Sequence, residues 1–289
     1  MEQIDFSAPD DLVTVFNHME QLGASAQLLA GGTDLMVAVN LRRKFVEKLI
    51  YLGNCGLDRI EQTSENLVIG AAATLTSIVK SELVNQIAPL LVDACKSIGS
   101  PAIRNMATLG GNVCNASPAA DGALALLALD AGVAIVSSAG ERSIPINTFF
   151  TGPGQTVLKP NELVKAFTIP LEAKNSFCGW SKIGQRKAEM ISIAAVAVSL
   201  QIQQGKCQKV GIALGAVAPT PLLAVKAAGV LEGQPLNEES IEAAAKTAAE
   251  ETRPIDDPRA SAWYRKRVVK AMVARVLGKI QKEETDGRP

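Results

Sequence analysis

The sequence has 289 residues, 47% hydrophobic and 20% charged, so it is long enough for two domains with buried cores and too apolar to be disordered. Lysine plus arginine and aspartate plus glutamate each number 29, and aromatic residues make up only 4%, which argues against a nucleic-acid-binding protein. Residues 1–5 lack the pattern of a signal peptide, and Asp130 interrupts the longest apolar region, so a soluble cytoplasmic protein without a membrane span is expected.

Residue types that commonly hold metals or act as nucleophiles are sparse. The single histidine, His18, excludes His-based triads and the HExxH zinc motif, and its position favours a helix surface. The cysteines lack a C-x-x-C pair, which predicts small buried residues and no disulfide, zinc or iron–sulfur site. These scattered cysteines are Cys55, Cys95, Cys114, Cys178 and Cys207.

In chain order, a short strand is predicted over residues 4–6. Pro9 and the acidic residues after it predict a helix start, and the apolar residues from Leu12 to Leu22 recur at helical spacing until Gly23. A strand over residues 26–30 then leads into an adjacent pair of glycines.

This first glycine stretch is the most distinctive part of the sequence. Its residues are Leu29, Ala30, Gly31, Gly32, Thr33, Asp34, Leu35 and Met36. Paired glycines at a strand end allow a positive φ and expose backbone N–H groups, and the apolar run to residue 41 predicts a short helix that Thr33 or Asp34 could cap. A tight turn is the simplest interpretation of one glycine pair, and an anion site is the alternative.

Strands are next predicted over residues 47–52 and 66–69, and helices over residues 75–81 and 87–98. Residues 98–121 are rich in small residues, which predicts an irregular segment that backbone or ligand can approach closely. A second glycine stretch lies there: Thr108, Leu109, Gly110, Gly111 and Asn112. Two such stretches, each after an apolar run, favour a diphosphate held between them. Asp121 has two compatible roles, helix N-cap or ligand contact.

A hairpin is predicted over residues 133–146 and a strand over residues 162–169. Beyond Pro170, strands over residues 177–183, 191–202 and 209–217 predict an antiparallel sheet, followed by helices near residues 222–231, 238–251 and 258–282. The last helix is predicted to begin at Pro258 and to fray beyond Lys282. Its predicted buried stripe is Tyr264, Val268, Met272, Val276 and Ile280. Domains are therefore expected over residues 1–170 and 171–289.

Gly152 and Gly154 do not complete G-x-G-x-x-G, because Val157 occupies the third glycine position, and a Walker loop is also absent. Lys182 lies within an apolar strand, either on its solvent face or close to a redox cofactor. Arg186, Lys187 and Glu189 predict an exposed turn, with an interface as the alternative.

Several of these stretches together carry a family resemblance. The first glycine stretch, residues 99–105, the second glycine stretch, residues 115–121, the Phe149-Phe150-x-Gly152 loop and Glu162-Leu163 resemble the FAD-binding medium subunit of the molybdenum hydroxylases. This family includes xanthine, carbon monoxide, nicotinate and aldehyde dehydrogenases. The resemblance covers nearly the whole chain.

The resemblance implies an α+β fold: a vanillyl-alcohol-oxidase-type FAD-binding domain of two subdomains, then a C-terminal domain with an antiparallel sheet and helices. It implies that both glycine stretches hold the FAD diphosphate. The further cofactor positions that it implies are Ile98, Ser100, Asp121, Leu163 and Lys182.

The implied role is electron transfer. A large partner subunit would carry the molybdopterin cofactor, and a small one would carry 2Fe-2S clusters that reduce this FAD. The flavin would then reduce NAD+ or another acceptor, in a heterotrimer or a dimer of heterotrimers. The hydroxybenzoyl-CoA reductase branch is not favoured, because the sequence lacks its inserted cysteine-rich loop. The alternatives are a self-sufficient flavin oxidase of the same broad fold and a non-catalytic scaffold that binds a stray anion.

Overall fold

The computed structural model describes residues 4–186 and 191–287, and the N-terminal part of the chain forms a small parallel sheet. Its elements are β1 (Asp5–Ser7), α1 (Leu12–Leu22), β2 (Ala26–Leu29), α2 (Leu35–Asn40) and β3 (Lys48–Tyr51). Strand β3 lies between β1 and β2 and pairs in parallel with both. The side chain of Asp11 caps α1 by accepting a hydrogen bond from Thr14 N at 2.8 Å, and Gly23 ends the helix with a φ of +54°. The predicted end of this helix is confirmed, but the helix begins later than predicted, because Pro9 and Asp10 precede the cap residue and no acidic residue lies in the first turn.

A larger antiparallel sheet and a group of helices follow. Their elements are β4 (Ile60–Gln62), β5 (Asn66–Gly70), α3 (Leu75–Lys80), α4 (Glu82–Ile87), α5 (Pro89–Lys96), α6 (Pro101–Met106), α7 (Leu109–Cys114), α8 (Asp121–Ala128), β6 (Gly132–Ser137), β7 (Gly140–Pro145), β8 (Phe150–Gly152), β9 (Gln155–Thr156) and β10 (Leu163–Pro170). The strand order is β4-β5-β10-β6-β7, and β8 with β9 forms a separate small hairpin. Fully buried side chains such as Ile69, Leu91, Leu124 and Phe167 form the core between this sheet and the helices.

The segment over residues 98–121 differs from its prediction, because it contains the helices α6 and α7. Ser100 caps α6 through its hydroxyl, 3.3 Å from Ile103 N, and Pro101 occupies the first helical position. Thr108 caps α7 in the same way, 3.0 Å from Gly111 N. Each helix spans six residues, which is too short for apolar periodicity to show in the sequence.

The C-terminal part forms a second antiparallel sheet followed by helices, as predicted. Its elements are β11 (Phe177–Ile183), β12 (Ala194–Gln203), β13 (Lys206–Gly215), β14 (Leu222–Leu223), α9 (Val225–Leu231), α10 (Glu238–Glu251) and α11 (Ala262–Thr285). Strand β12 is buried on both faces. Ala195 and Ala197 pack into the core of the N-terminal part, whereas Val196 and Val198 pack with the C-terminal helices. This burial on two sides explains why β12 reads as a continuous apolar run.

Helix α11 begins later than predicted. Ser261 caps it through a hydroxyl 3.2 Å from Tyr264 N, so Pro258 lies outside the helix. The predicted stripe is also wrong at its N-terminal end, because Tyr264 is 41% exposed whereas Arg265 and Val269 are buried. A constant step of four residues drifts around a helix that has 3.6 residues per turn. The helix continues to Thr285, beyond the predicted fraying point.

The cysteines are free thiols in the described residues. Cys95 and Cys207 are buried as predicted, and the others are half-buried. Burial raises the pKa of both Cys95 and Cys114 to about 12, so these thiols stay protonated. Within residues 4–186 and 191–287, none of the helices has the length and apolar character needed to cross a membrane. The predicted turn residues Lys187 and Glu189 lie outside the described residues.

Candidate functional site

The two glycine stretches meet in the folded chain. Gly32 has the positive φ, +70°, that such a turn predicts. Gly31 is constrained by space instead, because a Cβ atom there would lie 1.9 Å from the carbonyl oxygen of Met106 and 2.9 Å from Ala107 Cα. Residues 106–107 lead directly into Thr108, so the first stretch packs against the entrance of the second. The predicted proximity of the two stretches is confirmed.

The first stretch carries a row of available hydrogen-bond donors. Within the described part of the chain, the backbone N–H groups of residues 31–35 have no protein acceptor. Met36 is the next residue, and its N–H donates to Gly32 O at 3.0 Å as α2 begins. Successive N–H groups in a turn form a concave anion site, which suits a diphosphate.

The second stretch is different, because its N–H groups of residues 109–112 are all used within the protein. They donate to Ala73 O, Ala71 O, Thr108 Oγ1 and Thr108 O, at 3.0, 2.8, 3.0 and 3.0 Å respectively. The prediction that both stretches offer free backbone donors is therefore wrong for this one. Its glycines allow close approach instead. Gly110 lets α7 pack against Ala71, because a Cβ on Gly110 would lie 2.6 Å from Ala71 O. Gly111 is exposed, so a ligand could approach the backbone there.

Two asparagine side chains connect these stretches to their surroundings. Asn115 Nδ2 donates to Asp34 Oδ2 at 3.0 Å, which ties α7 to the first stretch. Asp34 occupies the N-cap position of α2, but its side chain makes no capping hydrogen bond there. Asn112 Oδ1 accepts from Gly122 N at 3.1 Å, which places the second stretch beside the start of α8.

Asp121 and Lys182 form a buried ion pair at that position. Their side chains are 4% and 5% exposed, and Lys182 Nζ lies 2.5 Å from Asp121 Oδ2. Ser192 Oγ donates to Asp121 Oδ1 at 3.0 Å. Burial raises the pKa of Asp121, and the Lys182 ammonium and the Ser192 hydroxyl act in the opposite direction. The predicted N-cap role of Asp121 is wrong, because Ala120 is the cap residue of α8. The predicted solvent-facing position of Lys182 is also wrong, because its side chain is buried.

The turn over residues 97–100 is held by two cations. Lys182 Nζ donates to Ser97 O at 3.0 Å. Arg104 Nη1 donates to Ile98 O at 3.0 Å and to Gly99 O at 2.7 Å. These contacts place Ile98 and Ser100 in the same region as the Asp121–Lys182 pair.

Leu163 is the predicted cofactor residue with a different environment. It is buried on β10 and packs with Ile50, Leu52 and Val136, in the cluster between the first sheet and the second. A flavin contact at Leu163 therefore remains a prediction.

Sequence reasoning missed Ser192 and Arg104 as parts of this site. Ser192 adjoins an apolar strand and carries no motif, so only its distance to Asp121 identifies it. Arg104 was noticeable as the lone charge between residues 99 and 121, yet the carbonyl groups that it holds depend on the turn before α6.

Comparisons with known proteins agree with this geometry. The FAD-binding domain of molybdopterin dehydrogenases matches residues 2–172, and the C-terminal domain of CO dehydrogenase flavoproteins matches residues 181–280. The chain is 33% identical over 257 residues to the xanthine dehydrogenase FAD-binding subunit of Escherichia coli O157:H7, covering 87% of each chain.

The chain is also 30% identical over 276 residues to the carbon monoxide dehydrogenase medium chain of Hydrogenophaga pseudoflava, covering 95% of this chain and 96% of that one. A solved structure, the reconstituted CO dehydrogenase from Oligotropha carboxidovorans, superposes with a TM-score of 0.93 at 29% identity over 97% of this chain and 98% of that one. The α+β architecture is therefore confirmed. Family match, fold and paired glycine stretches agree that this chain belongs to the FAD-binding flavoprotein subunits of the molybdopterin dehydrogenases.

Proposed function

We propose that this chain is the electron-transfer subunit of a molybdopterin-dependent hydroxylase or dehydrogenase. Its bound FAD would supply the redox chemistry between 2Fe-2S clusters of a partner subunit and NAD+ or another acceptor. The observation that carries this proposal is that the two glycine stretches meet within the FAD-binding domain. The first stretch offers free N–H donors, and the glycines of the second offer a surface without side chains.

The residues of the first stretch fit a diphosphate. The free N–H groups of residues 31–35 supply neutral donors, and Thr33 can add a hydroxyl. Asp34 carries the nearest negative charge on the stretch, and Asn115 holds its carboxylate. We therefore propose that residues 29–36 bind the diphosphate and that Gly111 allows it to approach α7.

The Asp121–Lys182 pair has a positioning role in this proposal. Each charge neutralises the other, so the pair adds little net charge beside a flavin. The ammonium also holds the carbonyl of Ser97, which fixes the turn that contains Ile98 and precedes Ser100. We propose that the pair orients this turn toward the cofactor, and that Leu163 makes a more distant contact.

The proposal includes partners. The related protein from Hydrogenophaga is named a medium chain, a name that implies other chains. A large molybdopterin-binding subunit and a small 2Fe-2S subunit would complete a cytoplasmic heterotrimer or dimer of heterotrimers. The division into domains over residues 1–170 and 171–289 is part of the same proposal.

The loop assignment is tested with Gly111→Trp. The side chain would occupy the surface that the diphosphate approaches, so we expect loss of bound FAD with an unchanged circular dichroism spectrum. Gly229→Trp is the control, because Gly229 is an exposed glycine of α9 and a Cβ atom added there would meet open space. FAD content that stays equal in both variants would contradict the assignment.

The electron-transfer role is tested on protein isolated from its native host. Molybdenum and iron that copurify with the flavin in fixed ratio are expected. A flavoprotein that oxidises its substrate without either metal would be a self-sufficient oxidase, and a chain without a flavin spectrum would be a scaffold.

A further inference from the structure

Arg265 is the largest fully buried side chain of the described residues, with 2% of its surface exposed. It lies in the first turn of α11, on the face that packs against the C-terminal sheet. A buried guanidinium is costly unless its hydrogen bonds are made, so its acceptors indicate what it holds in place.

The guanidinium binds three separate parts of the chain. Nη1 donates to Ile193 O at 2.8 Å and to Ala216 O at 2.6 Å, and Nη2 donates to Asp257 Oδ1 at 2.8 Å. The two carbonyl groups belong to the start of β12 and the end of β13, so the side chain clamps one end of the sheet. Nε is buried without an acceptor among the described residues.

The first of these carbonyls, Ile193 O, belongs to the residue next to Ser192 of the proposed cofactor site. Ile193 directly follows Ser192, whose hydroxyl donates to Asp121 Oδ1. Ile193 N donates to Ile183 O at 2.7 Å, so both sides of this residue are fixed beside Lys182. The Arg265 contact thus restricts the position from which Ser192 reaches Asp121.

The second carbonyl, Ala216 O, belongs to a residue that contacts the segment before Asp121. Ala216 has a φ of +60°, which is uncommon for a residue with a side chain, and its N–H donates to Pro118 O at 2.7 Å. Pro118 lies three residues before Asp121 on the segment that connects α7 to α8. Both main-chain contacts of Arg265 therefore end close to Asp121.

We infer that Arg265 is a positioning residue for the cofactor site, which sets the Asp121–Lys182 pair mainly through Ser192. This inference rests on the proposed function, in which that pair lies beside FAD. Lysine cannot replace Arg265 fully, because a single ammonium cannot reproduce the planar fork that reaches two carbonyls and a carboxylate together.

The test uses the full chain as apoprotein and measures the Kd for FAD and the visible spectrum of the bound flavin. The variants are Asp121→Asn, Ser192→Ala, Arg265→Lys, Arg265→Met and the double variant Ser192→Ala/Arg265→Lys. Arg275→Met is the control, because Arg275 is exposed on the same helix. We expect Ser192→Ala and Arg265→Lys each to raise the Kd about fivefold or more and to shift the flavin spectrum. The Kd of the double variant should be no higher than that of the weaker-binding single variant.

The outcomes separate the inference from the proposed function. If Ser192→Ala and Asp121→Asn both leave the Kd and the spectrum unchanged, the cofactor does not lie at this pair, and the site assignment fails. If Ser192→Ala changes the Kd and the spectrum but a folded Arg265→Lys variant does not, Arg265 has only a structural role and the inference is overturned. The inference is also overturned if the effects of Ser192→Ala and Arg265→Lys on the Kd add fully in the double variant. Arg265→Lys retains the charge, so the test stands even if Arg265→Met does not fold.

Discussion

At the scale of single residues, a buried charge in this molecule favours the folded state most where an opposite charge compensates it. Lys182→Met removes the cation from a pair whose side chains are only 4–5% exposed, and the charge of Asp121 would then be uncompensated. We expect a loss of about 3–5 kcal/mol in the free energy of unfolding, measured by urea denaturation.

A matched control is Lys209→Met, in the same sheet. Lys209 pairs with Glu172, and both side chains are more than half exposed, so its loss should cost at most about 1 kcal/mol. The double variant Asp121→Leu/Lys182→Met should recover much of the stability. If it is as unstable as Lys182→Met, packing and not the uncompensated charge determines the loss.

A second residue-scale prediction concerns pH. Arg142 binds both carboxylate oxygens of Glu162, at 2.9 and 2.7 Å, and lowers the pKa of Glu162 from 4.5 to about 2. A carboxyl group with a lowered folded-state pKa stabilises the protein above its unfolded value and loses that contribution as pH falls through the folded value. The wild type should therefore lose stability between pH 4.5 and about 2, and this component should be absent from Glu162→Gln.

The measurement is urea denaturation at several pH values on wild type, Glu162→Gln and Arg142→Met. The stability curves of both variants should approach that of the wild type as the pH falls. Curves that stay parallel over the whole range would show that this ion pair does not contribute to the pH dependence.

At the scale of elements, the first glycine stretch makes a prediction that depends on space. Gly31→Ala would place a Cβ atom against the carbonyl of Met106, and backbone on both sides leaves little room to adjust. We expect the loop to shift and the affinity for FAD to fall at least about tenfold, since a displaced binding loop loses its alignment with the ligand.

Gly229→Ala in α9 is the control for this measurement of FAD affinity by titration of the apoprotein. No atom lies within 4 Å of a Cβ there, and alanine favours a helix, so stability should rise by about 0.5–1 kcal/mol with unchanged affinity. Equal affinities for Gly31→Ala and the wild type would mean that residues 29–36 do not contact the cofactor.

The sequence revealed those elements that are long or have a strong local signal. Helix α1 combines periodicity with a cap and a terminal glycine, and β12 is a long apolar run, so both were predicted close to their observed bounds. Helices α6 and α7 were missed because six residues do not establish a period. The donors of residues 109 and 110 could not be judged from sequence either, because their acceptors, Ala73 O and Ala71 O, lie more than 30 residues earlier.

At the scale of the whole molecule, the C-terminal sheet connects the two parts of the chain. One face of β12 belongs to the core of the FAD-binding part and the other to the core of the C-terminal helices. Lys182 of this sheet and Ser192, which lies two residues before β12, both contact Asp121. Because the ion pair joins the two parts of the chain, the resemblance could point to Asp121 and Lys182 separately, whereas the contact of Ser192 with Asp121 depends on how the parts pack.

This arrangement predicts that the two parts unfold together. Gly211 on β13 lies against α8, where a Cβ atom would be 2.1 Å from Ala128 O, and Asp121 begins that same helix. Gly211→Ala should cost about 1–3 kcal/mol by overpacking, and it should lower the temperature of flavin release and that of secondary-structure loss by the same amount. Heating followed by flavin fluorescence and circular dichroism measures both, with Gly278→Ala in the open space of α11 as control. Two separate transitions, with flavin release unchanged in Gly211→Ala, would mean that the sheet packs on the FAD-binding part without stabilising its site.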